Sequence, residues 1–204
     1  MRFSWDDSRQ AFVDAAQWFV PTAALVGDRW NRPGLGEWDI RALVGHTSRS
    51  LLTVETYLAR PAVTAEIASA AEYFRAIRAA AADPAVAARG RDAGAALGTD
   101  PAAAVAQIAA RVLALVDTAD GCELVSTIAG GMRLADYLPT RTFELTVHTA
   151  DLASALGVPP QVPATAAAQA LQIVADLAVA DGLAGQLLLA ATGRPGLPAG
   201  FSVL

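Results

Sequence analysis

The sequence predicts an all-α protein, on three observations. Long Ala-, Leu- and Val-rich segments carry sparse charges at three- and four-residue spacing, the period of a helix with one buried face. Clusters of Gly and Pro separate one such segment from the next. With hydrophobic residues at 54% and charged residues at 17%, the 204-residue chain has the apolar side chains for a full core, as one domain or one plus an appendage, and this excludes disorder.

Each element has a local cause. The first helix is expected over about 7–28, with Ala11, Ala15, Trp18, Phe19 and Leu25 along an apolar stripe, followed by a sharp turn in the loop Asn31-Arg32-Pro33-Gly34-Leu35-Gly36. Asp39 is a good N-cap for a second helix running to about Ala59, and Trp38 before it can pack on Leu43 as a hydrophobic staple. Pro61 stops that helix, and a third, near 64–82, ends before Asp83-Pro84. In 84–99, Gly90, Gly94 and Gly98 argue for a loop or broken helix. Asp100 then caps a helix that has Pro101 at its first position and ends near Thr118.

Residues 122–134 differ in pattern. Cys122 to Ile128 is β-compatible, and Gly130-Gly131 offers a tight turn into Met132-Arg133-Leu134, so a small hairpin or extended loop is expected. A helix over about 135–156 follows, with Pro139 in or near its first turn and Gly157 as the residue that ends it. A further helix at 164–181 leads to Leu187-Leu188-Leu189, and Gly193-Arg194-Pro195-Gly196 precedes the tail. Residues 1–160 are read as the helical bundle, and 161–204 as a C-terminal helix and tail packed on the same domain.

Charge narrows the function classes. Twenty acidic against 15 basic side chains give a net charge of −5, so the overall balance indicates no basic surface for nucleic acid and no polybasic membrane anchor. Arg111 interrupts the apolar stretch at 101–119, and Asp176 and Asp181 interrupt that at 164–191, so neither reads as a membrane span. The single cysteine, Cys122, excludes an internal disulfide and fits a reducing cytosol; with the charged start Met1-Arg2-Phe3-Ser4-Trp5-Asp6-Asp7, a cytoplasmic location is expected. No nucleotide-binding glycine motif and no Cys-x-x-Cys pair is present.

The chemistry converges on the helix at 135–156. At about 100° per residue, Arg141, Glu144, His148 and Asp151 fall within roughly an 80° arc and project from one face together with Leu145 and Leu152. Charged groups on a core-directed seam need partners, and a metal ion is one. Glu144 and His148, one turn apart, can converge on a divalent cation; His46, beside the apolar stripe of the second helix, can supply a third ligand. Two imidazoles and one carboxylate make a set used in catalytic zinc sites, which leave a position open. A Glu and a His four apart are also a common surface pair, and a histidine flanking an apolar stripe is also a common core residue. Arg141 is the candidate catalytic residue, orienting an anionic substrate or else pairing with Glu144. Asp151 is a candidate to hold the second N–H of a ligating histidine. Ser50 and Thr53 can line the cleft, though helical Ser and Thr often bond to the preceding turn. Trp18, Trp30, Trp38 and Tyr57 read as core aromatics, with Trp38 structural.

The segment Gly36-Glu37-Trp38-Asp39-Ile40-Arg41-Ala42-Leu43-Val44-Gly45-His46 resembles the second-helix motif of the mycothiol-dependent maleylpyruvate isomerase family, within the DinB-like superfamily. Arg141-Thr142-Phe143-Glu144-Leu145-Thr146-Val147-His148-Thr149-Ala150-Asp151-Leu152-Ala153 resembles that family's Glu/His helix, with Ala150 where tryptophan is usual. The resemblance extends over most of the chain and is weakest from 60 to 120. It implies a DinB-like bundle of four principal helices, with a small hairpin and a short C-terminal extension, holding a divalent metal, typically zinc, through His46, Glu144 and His148. It further implies a metal-dependent thiol transferase or isomerase-like enzyme that activates a low-molecular-weight thiol, mycothiol in the family, for attack on an electrophile. The family's isomerase carries a separate C-terminal domain, whereas Pro159 to Leu204 is all that follows the helix here, so maleylpyruvate isomerisation itself is not expected. Two other readings stand beside the enzyme: a non-catalytic metal or small-ligand binding module, and a metal-free bundle that forms homodimers.

Overall fold

Ser4 starts the first helix. In the computed structural model, which describes residues 3–81, 83 and 85–204, its hydroxyl accepts the Asp7 N–H while the Asp7 carboxylate accepts the Ser4 N–H, satisfying two donors at the start of α1 (Trp5–Ala24). Ala11, Ala15 and Phe19 are buried as their stripe requires. Leu25 is not: the helix ends at Ala24, so Leu25 leaves the stripe and is 54% exposed.

A short antiparallel pair, β1 (Pro33–Leu35) and β2 (Trp38–Asp39), turns the chain into α2 (Ile40–Leu58). Asp39 caps α2 by accepting the Ala42 N–H at 2.7 Å, as its position predicts. The third helix is shorter than its periodicity suggested: α3 covers Ala70–Ala81, and its expected end at Ala82, like Pro84, lies outside the described residues. Residues 61–67 instead run along a hairpin of β3 (Leu124–Thr127) and β4 (Gly130–Arg133), with Ala62 donating to the Leu124 carbonyl and Glu66 to that of Gly131. Backbone groups of a hairpin edge need partners, and this segment supplies them. The hairpin turn falls at Ile128-Ala129 and not at Gly130-Gly131; Gly130 opens β4, and Gly131 pairs with Ser126.

The ambiguous stretch at 84–99 is a helix, α4 (Ala85–Ala96). Its glycines are contact points. A Cβ on Gly94 would lie 2.7 Å from the Arg41 carbonyl oxygen, and one on Gly45 of α2 would lie 2.1 Å from the Gly94 nitrogen. Only a glycine face lets α4 approach α2 this closely.

Asp100 caps α5 (Pro101–Asp117) through the Ala103 N–H, with Pro101 at the first position. The longest helix, α6 (Leu134–Leu156), ends at Gly157 with φ 71°. Pro139 lies just past its first turn, near where it was expected. Two more helices follow, α7 (Ala164–Ala180) and α8 (Ala184–Ala191); the Leu187–Leu189 run belongs to the latter.

The four principal helices form a ring in which α1 packs on α5 and α6, and α2 packs on the same two. Phe12, Phe19, Leu43, Leu51, Val105, Val112, Leu138 and Leu145 fill its centre. The result is the all-α, DinB-like bundle expected, with α4 laid on α2 and α7 on α1 and α6. No single helix among the described residues is long and apolar enough to cross a membrane.

Candidate metal centre

α2 and α6 are neighbours in the ring, and their facing sides carry the polar groups. α6 is rich in buried threonine there: Thr142 donates to the Leu138 carbonyl and Thr146 to that of Thr142. Among these apolar and self-satisfied neighbours stand Glu144 and His148 of α6 and His46 of α2.

One donor atom from each of the three lies within 4.8 Å of the others. His148 Nε2 is 3.3 Å from Glu144 Oε2, and His46 Nε2 is 4.0 Å from the same oxygen. A cation bonded at about 2.0–2.1 Å in tetrahedral geometry holds its donors roughly 3.3 Å apart; the Glu144–His148 pair already has that spacing, the Glu144–His46 pair needs less than about 1 Å of closure, and the His46–His148 pair lies within 4.8 Å. The side chains are 21%, 20% and 17% exposed, half-buried in a cleft that solvent reaches.

The second nitrogen of each imidazole is held differently. His148 Nδ1 is 3.0 Å from Asp151 Oδ2, a carboxylate one turn further along α6. That contact leaves Nε2 of His148 directed at Glu144. His46 Nδ1 is buried and has no hydrogen-bond partner among the described residues. Its ring is placed by packing: the Trp38 ring centroid lies 4.5 Å away at 34°, and the His148 ring 4.8 Å away, edge-on.

Electrostatics separate the three groups. Burial, reinforced by the neighbouring His148, lowers the pKa of His46 to about 4. Burial alone would push Glu144 up, but the hydrogen bond from His148 and the charge of Arg141 prevail and hold it at about 2. Burial alone would lower His148, yet its bonds to Asp151 and Glu144 outweigh that and raise it to about 9. At neutral pH the free site therefore holds a neutral His46, a carboxylate and a protonated His148.

Arg141 does not pair with Glu144. Its guanidinium lies between two rings, with Cζ 5.4 Å from the Tyr73 centroid and 5.1 Å from that of Tyr137. Thr53 also differs from expectation, because its hydroxyl oxygen is buried and faces the Tyr137 hydroxyl across the α2–α6 seam. Trp38 is more than structural packing: besides stacking near His46, its Nε1–H donates to the Ala87 carbonyl of α4 at 3.0 Å. Tyr137 lies one turn before Arg141, so helical spacing alone could have found it; Tyr73, on α3, carried no such signal.

The family model described as the mycothiol maleylpyruvate isomerase N-terminal domain matches residues 10–153. The chain belongs to that family. The matched span takes in α2 and all of α6 as far as Ala153, so His46, Arg141, Glu144, His148 and Asp151 all fall inside the mycothiol maleylpyruvate isomerase N-terminal domain. No curated protein and no solved structure matches the chain.

Proposed function

We propose that the protein is a metal-dependent thiol-handling enzyme, a transferase or isomerase-like member of its family, with His46, Glu144 and His148 as ligands of one divalent cation. The observation that supports this best is the convergence of three donors from two helices in a cleft that solvent still reaches. Two imidazoles and a carboxylate favour zinc, and three protein ligands leave room for a fourth from solution. A cation there would hold a bound low-molecular-weight thiol, mycothiol by family, as its nucleophilic thiolate near neutral pH.

The chain's own groups prepare that site. Asp151 fixes the His148 ring by accepting a hydrogen bond from Nδ1–H, leaving Nε2 as the metal-donor atom. Glu144 is ionised throughout the physiological range and needs no proton removed. Trp38 covers His46 and excludes water from one side of the imidazole. The electrophile would approach from the side that solvent reaches, and Arg49 and Arg141 add positive charge near His46.

Metal analysis and thiol binding test the proposal together. Purified protein should bind about one divalent ion per chain, and His148→Ala much less. Cobalt-loaded protein should develop a sulfur-to-cobalt charge-transfer band on addition of mycothiol. Metal uptake without affinity for mycothiol or another small thiol would leave a metal-binding module and overturn the enzyme reading.

A further inference from the structure

One face of α7 is apolar and left to solvent. Ala166, Ala170, Ile173, Leu177 and Ala178 are buried where the helix packs on α1 and α6. At about 100° per residue, Ala164, Ala168, Leu171, Ala175 and Val179 fall within roughly an 80° arc elsewhere on the helix. All five are exposed, Leu171 by 66% and Val179 by 70%. Over roughly four turns this stripe carries no charged residue, although the solvent face of a bundle helix normally does. The one charged side chain of α7, Asp176, lies beside the stripe, where its carboxylate accepts a hydrogen bond from the Gln172 amide at 2.8 Å. Beyond the C-terminal end of the stripe, α8 buries no residue of its own and leaves Leu188 and Leu189 exposed.

The order of side-chain sizes along the stripe is what a second copy of the same helix would fit. Ala168, Leu171, Ala175 and Val179 run small, large, small, large, so the same stripe read backwards runs large, small, large, small. A two-fold axis near residue 173 would set Leu171 against Ala175 of the partner subunit. The same axis would set Val179 against Ala168 of the partner subunit to within one residue, about 1.5 Å of rise. Every large side chain then meets an alanine, and the alanines let the two helices approach closely. A parallel pairing would instead oppose Leu171 to itself and leave gaps between alanines. With no charge on the stripe, self-association brings no like charges face to face.

The exposed area is also sufficient. The chain exposes 10213 Å², against about 9,000 Å² expected for a monomer of its 21.0 kDa. The excess is larger than the roughly 800 Å² that each partner covers in a stable complex.

We propose that two copies of the chain pair through antiparallel α7 helices, with Leu171 and Val179 of each copy packed on Ala175 and Ala168 of the other. The pairing depends on neither the metal nor the thiol proposed above.

The full chain tests this by sedimentation equilibrium between about 1 and 100 μM. Wild type is expected to be dimeric at the upper end and to dissociate on dilution. Leu171→Glu and Val179→Glu place an unpaired charge in the interface twice per dimer, and each should weaken association about a hundredfold or more. Both sites are exposed in the single chain, so circular dichroism should be unchanged; Leu171→Ala, which only trims the stripe, should weaken association about tenfold. Val63→Glu, at a residue exposed elsewhere, should leave it unchanged. In a Cys122→Ser background, an oxidised mixture of Leu171→Cys and Ala175→Cys chains should form the mixed disulfide in preference to a Leu171→Cys self-cross-link. Wild type that stays monomeric throughout, or a dimer that survives both glutamate variants, overturns the pairing. Preferential self-cross-linking of Leu171→Cys overturns the antiparallel register.

Discussion

The ring of Trp38 lies 4.5 Å from the imidazole of His46, its plane tilted by 34°, and its Nε1–H is tied to the Ala87 carbonyl of α4. His46 lacks a hydrogen-bonding partner at Nδ1 among the described residues, so this indole, together with the edge of the His148 ring, holds it in place. Aromatic contacts of this kind contribute about 0.5–1.5 kcal/mol. Trp38→Leu is therefore expected to lower zinc affinity by roughly two- to tenfold, and Trp38→Phe by less. Competitive titration against a chromophoric chelator measures both, and equal affinities for wild type and Trp38→Leu would show that the indole does not position His46.

Asp151 does for His148 what Trp38 does for His46, by charge instead of contact. Asp151→Asn should reduce metal affinity by about 10–100-fold. In the metal-free protein the same change should lower the pKa of His148 from its raised value near 9, since the bond to Asp151 is the foremost influence opposing burial. Histidine chemical shifts followed against pH would report it.

Metal binding should release protons, and the number follows from the three separated titrations. At pH 7 His46 is already neutral and Glu144 already ionised, while His148 carries a proton that must leave. Zinc uptake is thus expected to release about one proton from the site, and apparent affinity to rise about tenfold per pH unit up to about pH 9. Below about pH 4 His46 is protonated too, and the loss of affinity steepens. Calorimetry in buffers of different ionisation enthalpy gives the proton count; affinity independent of pH between 5 and 8 would contradict the assignment.

The glycine contact between α2 and α4 has an unusual sign under mutation. Gly→Ala in an exposed helix interior stabilises by about 0.5–1 kcal/mol. At Gly45 the added methyl would meet the Gly94 backbone at 2.1 Å, so Gly45→Ala should instead destabilise by about 1–3 kcal/mol or more. Because His46 is the next residue, zinc affinity should fall with it. Denaturant unfolding of Gly45→Ala beside Gly185→Ala, where nothing lies within 4 Å, makes the comparison.

What local rules govern was legible beforehand. Asp39, Asp100 and Gly157 end or begin helices through bonds to residues three or four positions away, and all three do so as expected. Glu144, His148 and Asp151 share a face because helical spacing requires it. What depended on distant partners was not legible. The glycines of α4 looked like helix breakers because their reason, the backbone of α2, lies far away in sequence. Residues 64–67 fall within the expected third helix but lie along the hairpin, whose edge decides their conformation. The same holds for Arg141, whose flanking Tyr73 comes from α3. His46 joined the candidate ligands through its place beside an apolar stripe and through the family motif, since no periodicity sets the register of α2 against α6.

That register has a consequence for quality control in the cell. Glu144, His148, Asp151 and Arg141 travel together on one rigid rod, and they are present as a partial claw as soon as α6 forms. His46 completes the grip only when a second rod has docked at the right height. On the proposed ligand set, a misassembled chain would present two ligands and hold an ion loosely, whereas a correctly assembled one would close on it from both sides. Retained zinc would then serve as a receipt for a finished fold.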